Sequence, residues 1–377
     1  MNKVKLMKFW SALFIGLAWG TAAWGGERAR VIFVGDIMAH KEQLDGAWKG
    51  GSWDFAPQFQ RVTPLFEDAL VVGNLETVFA GKKSGFAGYP SFNTPDELAD
   101  ALAGLGVQVV TLANNHILDR GAVGAWRTTE VLDKAGILWT GLGGGPLTVD
   151  YAGLRWAFVS YSYGSNRAAA DSPLNVIFND AVEDGLSQAH LLSPDVVVAC
   201  FHWGNEYQYT PTARQRQVAA LSLAKGACLL IGTHPHVLQP IEVVKMEGRG
   251  YGLTAYSLGN FVSYQRTHPR ERSVVLAVDV EKTPEGVRLS RVSVAPTRVS
   301  ATGPKVRRLV QVVYAGKSPR FNHAGLPQKE LQTAQLAGGA VLDFLGAAVS
   351  ADAEGFYTLW DAASPDAFPK PRRKAPM

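Results

Sequence analysis

Between residues 31 and 231, short runs rich in β-branched residues alternate with stretches whose apolar residues recur at helical spacing. This alternation is typical of parallel strands that are joined by helices. The strand-like runs cover residues 31–34, 70–72, 107–112, 195–201 and 228–231. The pattern therefore predicts an α/β fold in which the carboxyl ends of several strands share one edge.

Helices are expected between these runs. Thr94 and Pro95 suit the cap and the first position of a helix over residues 96–102, and further helices are expected over 121–135 and 212–224. After residue 240 the pattern changes to segments in which apolar and polar residues alternate. This pattern is typical of strands and predicts an antiparallel sheet that is added to the first half. These later strands are expected over residues 241–245, 252–257, 273–280 and 287–294, and a further helix over 328–350.

The N-terminus resembles a secretory signal peptide. Lys3, Lys5 and Lys8 precede an apolar run over residues 9–23, and small residues follow before residue 27. We therefore expect residues 1–26 to be a signal peptide and the mature protein to lie outside the cytoplasm, in a periplasmic or extracellular location. The alternative is an uncleaved anchor that holds the protein on the membrane facing outward, since the run is close to the roughly 20 residues of a membrane span.

Composition narrows the classes of function. Hydrophobic residues make up 47% of the 377 residues and charged residues 19%, enough for a large buried core. The net charge of +4 is too small and too dispersed to indicate a nucleic-acid partner. The two cysteines, Cys200 and Cys228, exclude a disulfide framework and are expected to be buried thiols, with one disulfide as the alternative. Any metal would therefore be held mainly by His, Asp, Glu and Asn.

Polar residues follow each of the five predicted strands of the first half. In chain order these residues are Asp36; Asn74 and Glu76; Asn114, Asn115 and His116; His202; and His234 and His236. Each group alone has an ordinary explanation as a turn, a helix cap or a hydrogen-bonded core residue. Ligands bind at the carboxyl edge of open parallel sheets, so the five groups together predict one crevice.

The strongest single motif is His234-Pro235-His236. In an extended chain, alternation sends both imidazoles to the same side, where they can share one metal or a pair of metals. A structural pair of stacked histidines is the alternative.

As an ordered set, these motifs resemble the CapA-type proteins of poly-γ-glutamate capsule synthesis, which are similar to the calcineurin-like metallophosphoesterases. The motifs are Gly35-Asp36-Ile37-Met38, Gly73-Asn74-Leu75-Glu76, Ala113-Asn114-Asn115-His116 with Asp119 and Gly121, His202-Trp203-Gly204 with Glu206-Tyr207, Gly232-Thr233-His234-Pro235-His236, and Tyr256-Ser257-Leu258-Gly259-Asn260-Phe261. The resemblance runs from about residue 31 to 264. We therefore expect a domain over residues 27–296 and a C-terminal extension over 297–377.

The resemblance implies an α/β/β/α fold, in which helices flank two β-sheets, with one or two divalent ions at the sheet ends. The implied metal ligands are Asp36, Glu76, Asn115, His202, His234 and His236, with Glu76 in the bridging place. His116 would act as the catalytic acid. The implied substrate contacts or supporting residues are Asn74, Asn114, Glu206, Tyr207 and Asn260. Mixed nitrogen and oxygen ligands suit Mn, Fe or Zn, and two ions roughly 3.5–4 Å apart would activate a water molecule.

Two residues depart from the phosphoesterase pattern. Met38 stands where that pattern has a histidine, and a thioether is a poor ligand for such ions, so one metal position is expected to be weak. His40, two residues further on, is the alternative ligand. Glu76 replaces an aspartate and is longer.

Two functions from different classes follow. The first is a secreted metal-dependent hydrolase that acts on a phosphoester or on an anionic envelope polymer such as polyglutamate. The second is a non-catalytic envelope protein that binds or helps to export such a polymer. An aromatic set in the loops after the first two strands is expected to form either a substrate wall or ordinary core. Its members are Trp48, Trp53, Phe55, Phe86, Tyr89 and Phe92.

Overall fold

The structure is a computed structural model that describes residues 28–366 except 170, 305–306 and 322. The predicted signal segment, residues 1–26, lies outside the described residues. Among the residues that are described, no helix is both long and apolar enough to cross a membrane.

The described residues form fifteen strands in two sheets and six α-helices. The strands are β1 (Arg28–Ile37), β2 (Leu70–Leu75), β3 (Val107–Thr111), β4 (Leu138–Thr140), β5 (Leu147–Tyr151), β6 (Leu154–Ser162), β7 (Val196–His202), β8 (Leu229–Thr233), β9 (Ile241–Met246), β10 (Gly250–Ala255), β11 (Asn260–Val262), β12 (Arg272–Thr283), β13 (Gly286–Thr302), β14 (Leu309–Tyr314) and β15 (Tyr357–Asp361). The helices are α1 (Lys41–Ala47), α2 (Glu97–Leu105), α3 (Gly121–Ala135), α4 (Asn179–Leu191), α5 (Ala213–Ala224) and α6 (Gln328–Leu345).

The first sheet has the strand order β14-β13-β12-β1-β2-β3-β4, with β11 paired to β1 and β15 paired to β13. Strands β1 to β4 are parallel, whereas β12 runs antiparallel to β1. The second sheet has the order β5-β6-β7-β8-β10-β9, and its four inner strands are parallel. Each sheet therefore presents parallel carboxyl ends at one edge.

The two sheets pack face to face between helices, as the side chains of β7 illustrate. Val196, Val198 and Cys200 join the core that is shared with the first sheet. The alternate residues Val197 and Ala199 pack in a second core with α4 and α5. Residues of a strand alternate between faces, so β7 lies in a layer that is buried on both sides. The expected α/β/β/α sandwich is confirmed.

The predicted helices are observed with changes at their ends. Helix α3 has the expected bounds, and α5 begins after Thr212, whose hydroxyl accepts a hydrogen bond from the Gln215 amide. Thr94 does not cap α2, because its hydroxyl is hydrogen-bonded to the Thr77 hydroxyl at 2.6 Å. Helix α6 ends at Leu345 rather than at residue 350, since Gly346 adopts a left-handed conformation.

The expectation of one added antiparallel sheet after residue 240 is wrong in part. Strands β9 and β10 join the second sheet, where β10 is parallel to β8, while β12 and β13 join the first sheet beside β1. Alternation within a strand shows which residues are buried and leaves the pairing partner undetermined. Strands β4, β5, β6, β11, β14 and β15 and helices α1 and α4 are not among the elements predicted from the sequence.

The boundary expected after residue 296 falls inside β13. Strand β14 continues the first sheet beyond β13, and β15 also pairs with β13. The segment expected as a C-terminal extension therefore supplies strands to the same sheet as β1.

Candidate metal and catalytic site

The five polar groups that the sequence placed after strands meet at one edge of the sandwich. Three groups lie at the carboxyl ends of β1, β2 and β3 in the first sheet, and two at the carboxyl ends of β7 and β8 in the second sheet. Their side chains are buried, and Asp36 and Glu76 have no exposed surface. The cluster therefore lies between the strand ends of two sheets, and not at the edge of a single sheet as the sequence predicts.

Asp36 is positioned by a close approach of two chain segments. A Cβ atom at Gly35 would lie 1.9 Å from the Gly259 carbonyl oxygen, so only glycine fits there. The Asp36 amide donates a hydrogen bond to that same oxygen at 3.0 Å. Its Oδ1 accepts a hydrogen bond from Asn74 at 2.8 Å, and its Oδ2 lies 3.0 Å from Nδ1 of His236.

Glu76 is a buried carboxylate whose two oxygens have no hydrogen-bond partner. Its Oε1 lies 3.6 Å from Nε2 of His202 and 3.8 Å from Nε2 of His236. Burial, and then the neighbouring Asp36, raise the pKa of Glu76 well above its ordinary value. A buried carboxylate without partners is strongly unfavourable, so this position fits a cation that the oxygens can bind.

His202 is held by hydrogen-bonding atoms at both ring nitrogens. Its Nδ1 lies 3.0 Å from the Thr233 hydroxyl, and its Nε2 lies 2.8 Å from Oδ1 of Asn115. Burial, together with His234 and His236, lowers the pKa of His202 well below its ordinary value. The ring is therefore neutral at physiological pH, which is the form that binds metals.

His234 and His236 do meet in the site, but the extended geometry expected for them is wrong. Both residues have left-handed backbone conformations, with φ of 98° and 56°, so the chain bends here instead of continuing β8. The ring centroids lie 6.0 Å apart. The Nδ1 atom of His234 is buried and without a partner, while Nδ1 of His236 lies 3.0 Å from oxygens of Asp36 and Asn260.

Two groups of side chains have ligand atoms within 4.8 Å of one another. One group contains Glu76, His234 and His236, and the other contains Asp36, Glu76 and His202. Glu76 belongs to both groups, which agrees with a bridging position. The unpartnered oxygens of Glu76 and the unpartnered Nδ1 of His234 fit a divalent ion with mixed nitrogen and oxygen ligands.

His40 belongs to neither of these groups. Met38 is buried, and its amide donates a hydrogen bond to the Val262 carbonyl. The Nδ1 atom of His40 accepts a hydrogen bond from the Tyr264 amide at 3.2 Å, and burial lowers its pKa to about 4. The structure thus gives no support to His40 as the replacement ligand.

His116 lies between β3 and α3 and forms a pair with Asp119. Its Nδ1 lies 2.8 Å from Oδ2 of Asp119, which also accepts a hydrogen bond from the Phe92 amide at 2.6 Å. The Phe92 ring packs edge-on against His116 with centroids 4.7 Å apart. These contacts fix the imidazole and leave Nε2 as the atom that faces Asn166 at 3.4 Å.

Sequence reasoning missed the loop after β6, which supplies two neighbours of the site. Asn166 accepts a hydrogen bond from Asn115 at 3.3 Å and approaches His116. The half-exposed Tyr163 ring lies 4.6 Å from the His234 ring and stacks on His202 at 6.2 Å. The signal was present, because residues 156–159 form an apolar run a few positions before these polar residues.

Most of the remaining predicted site residues form hydrogen bonds that hold other residues of the site in place. Asn74 bonds to Asp36, Asn114 donates to the Leu75 carbonyl at 2.8 Å, and Asn260 lies next to His236. Glu206 is exposed at the rim of the site. Tyr207 has a positive φ of 64° and lies beneath the Arg270 guanidinium, 3.3 Å from the ring centroid to Cζ.

The six aromatic residues of the predicted set differ in exposure, and the two cysteines are not bonded to each other. Phe55 and Phe92 are core residues, Trp53 and Phe86 are partly buried, and Trp48 and Tyr89 are exposed. Cys200 and Cys228 are both free thiols and form no disulfide; Cys200 is buried as expected, whereas Cys228 is only partly buried. Burial raises the pKa of Cys200 to about 12.

The fold and the site together define a two-sheet α/β protein with a cluster of buried carboxylates and imidazoles at the sheet ends. A family described as "Bacterial capsule synthesis protein PGA_cap" matches residues 30–265, and the chain belongs to this family. The Capsule biosynthesis protein CapA of Bacillus anthracis is 30% identical over 254 residues, 63% of this chain and 60% of that protein. The PGA biosynthesis protein CapA of Bacillus subtilis (strain 168) is 31% identical over 264 residues, 64% of this chain and 66% of that protein. The chain thus spans less than two thirds of each relative.

Solved structures give a more distant comparison. The NAD nucleotidase NadN of Haemophilus influenzae has 11% identity and a TM-score of 0.46, covering 83% of this chain and 62% of that chain. The calcineurin-like phosphoesterase YfkN of Bacillus subtilis has 12% identity and a TM-score of 0.44, covering 75% of this chain and 95% of that chain.

Proposed function

We propose that this protein is an exported, metal-dependent hydrolase that acts on a phosphoester or on an anionic polymer of the cell envelope. The observation that carries the proposal is Glu76, a fully buried carboxylate whose oxygens have no hydrogen-bond partner and face imidazole nitrogens of His202 and His236. A divalent cation would compensate that buried charge.

Asp36, Glu76, His202, His234 and His236 would hold the metal, which we propose to be Mn, Fe or Zn. Asn115 would take part through Oδ1, which now lies 2.8 Å from His202. When bound, one or two such ions supply an activated water molecule and stabilise negative charge on the substrate.

The residues around the metal ligands would orient the substrate and move a proton. Nε2 of His116 would donate a proton to the leaving oxygen, and Asp119 would hold the ring through Nδ1. Asn74 would keep Asp36 oriented through its hydrogen bond to Oδ1. Glu206 and Tyr207, at the rim, would contact the substrate.

The family supports the polymer as the substrate class, since both relatives are named for capsule or PGA biosynthesis. Export is proposed from the positively charged N-terminus and the apolar run that follows it.

The first test is metal content of the mature protein, purified without chelator or affinity metal, beside an Asp36→Ala plus His234→Ala double variant. We expect one or two equivalents of a transition metal in the wild type and a loss of metal in the variant. Phosphodiesters and envelope polymers are then screened for hydrolysis with the metal-loaded protein.

The number of ions distinguishes between versions of the proposal. About two equivalents would support a dinuclear site, and about one would agree with the weak position expected from Met38. If the protein holds no metal and takes up neither Mn nor Zn, the hydrolase proposal is wrong. The non-catalytic polymer-binding protein would then be the better hypothesis.

A further inference from the structure

An open cleft of about 900 Å³ lies outside the carboxylate and imidazole cluster. One part of its lining is an aromatic wall formed by Trp48, Trp53, Phe86 and Tyr89. The ring centroids of Trp48 and Trp53 are 4.5 Å apart, and those of Trp53 and Phe86 are 4.9 Å apart. Trp48 is 43% exposed and Tyr89 is 70% exposed. Large aromatic faces that remain open to solvent in a concave surface indicate a ligand site.

The same cleft carries positive charge. Lys41 is paired with Asp45 at 2.6 Å, whereas Arg307 is exposed and has no ion pair among the described residues. Arg120 donates a hydrogen bond to the Ser91 carbonyl at 2.9 Å, and no residue of the described chain bonds to its buried Nε. Three basic residues against one acidic residue leave the lining with a net charge of +2.

The cleft adjoins the candidate catalytic acid. Residues 89–91 line the cleft and lead directly to Phe92, whose ring contacts both Tyr89 and His116. Arg120 follows Asp119 in the chain, and Asp119 is the partner of His116. A long ligand in the cleft would therefore extend toward the proposed reaction site.

We propose that this cleft binds an acidic polysaccharide, a chain of sugar rings that carry carboxylate or phosphate groups. Sugar rings have apolar faces that stack on aromatic side chains, while the acidic groups would contact Arg120 and Arg307. A polyglutamate chain offers the charges without ring faces, so it would leave the aromatic wall unused. Whether the bound polysaccharide is then hydrolysed rests on the proposed function. Its binding to the cleft does not require the metal.

Three probes separate ring recognition from charge recognition. Oligogalacturonate has rings and carboxylates, its methyl ester has the rings without the charges, and poly-γ-glutamate has the charges without the rings. By calorimetry at low salt, we expect oligogalacturonate to bind about tenfold more tightly than either of the others and to weaken as salt is added. Equal binding of all three probes, or tighter binding of poly-γ-glutamate, would overturn the proposal.

Variants then locate the binding. Trp48→Ala should weaken oligogalacturonate binding about tenfold, and Trp48→Phe, which keeps a ring, should restore most of it. Trp126 on α3 is the matched control, since it is also 43% exposed and lies outside the cleft lining. Arg307→Gln should reduce binding and its dependence on salt. If Trp48→Ala and Trp126→Ala have the same affinity, the site is elsewhere.

The Asp36→Asn variant separates this proposal from the proposed function. It should lose metal while its affinity for oligogalacturonate remains that of the wild type. A wild-type protein that binds metal but no oligogalacturonate contradicts the cleft proposal alone. A protein that binds oligogalacturonate but no metal contradicts the hydrolase proposal alone.

Discussion

The Nδ1 atom of His116 lies 2.8 Å from Oδ2 of Asp119, and this contact leaves Nε2 as the ring nitrogen that we propose donates a proton to the substrate. The Phe92 amide also donates to Oδ2, so the carboxylate is held in place while it orients the imidazole. This arrangement is suited to a general acid whose ring cannot rotate.

His116→Ala should reduce turnover of a substrate with a poor leaving group by about 10²- to 10⁴-fold, because the leaving oxygen is no longer protonated. Metal content should remain that of the wild type. The loss should be much smaller with a p-nitrophenyl leaving group, which departs without a proton. Equal losses for both substrates, measured as kcat, would contradict the acid role of His116.

Glu76→Gln removes the buried charge and keeps the shape of the side chain. The pKa of Glu76 is raised in the folded protein, so the stability that this group contributes to the metal-free protein is greatest at low pH and is lost as pH rises through that pKa. In chelator, the variant should therefore gain in Tm over the wild type between pH 5 and pH 8, and it should no longer be stabilised by metal. Glu285→Gln, at an exposed position between β12 and β13, is the control and should show neither effect.

Met38→His restores an imidazole at the position where the chain carries a thioether. If Met38 weakens one metal position, this variant should bind Mn or Zn about tenfold more tightly at that position. Met38→Leu, which keeps a buried apolar side chain, should bind like the wild type. Identical titrations for the histidine and leucine variants would show that residue 38 does not reach the metal.

His40 makes the metal-free protein sensitive to acid. Burial and His236 lower its pKa to about 4, so its neutral form favours the folded state above pH 6.5 and that stability is lost as pH falls toward 4. The full loss is about 3 kcal/mol. His40→Asn keeps a hydrogen-bond acceptor for the Tyr264 amide and cannot be protonated. In urea unfolding with chelator present, the free energy of unfolding of the variant should rise relative to that of the wild type as pH falls from 6.5 to 4. If the two free energies change in parallel with pH, His40 does not have this role.

Gly35→Ala should destabilise the protein by about 3 kcal/mol, because its Cβ would lie 1.9 Å from the Gly259 carbonyl oxygen. Metal content should also fall, since Asp36 would be displaced. Gly339 on α6 has open space around an added Cβ and is the control. Gly339→Ala should raise the free energy of unfolding by about 0.5–1 kcal/mol, as alanine favours a helix. If the Gly35→Ala variant is as stable as the wild type, the segments around Gly35 and Gly259 can separate enough to accommodate the methyl group.

Several elements of the fold followed from local pattern. The β-branched runs before Asp36, Glu76, Asn115 and His202 form strands, and residues 121–135 form α3 as expected. The apolar residues of β6 (Leu154–Ser162) also indicate a strand just before Tyr163 and Asn166, but this strand was missed in the sequence analysis.

Other features depend on contacts between residues far apart in the chain. The alternation of apolar and polar residues in β10 does not predict that this strand pairs with β8, because the same alternation would be compatible with a place in either sheet. The left-handed conformations of His234 and His236 likewise contradict the expectation of an extended segment. Such conformations are unfavourable for residues other than glycine, so they persist only where surrounding contacts hold them.

The sequence by itself determined which segments become strands and helices and which polar side chains stand at the strand ends, because periodicity and capping are properties of neighbouring residues. Only the tertiary structure decided that these ends belong to two sheets, that Glu76 lies without a hydrogen-bond partner among imidazoles, and that Asp36 reaches His236 across 200 residues. The physical reason is that burial and electrostatic environment arise from long-range packing. The same packing leaves Trp48 and Arg307 on one cleft, although more than half of the chain separates them.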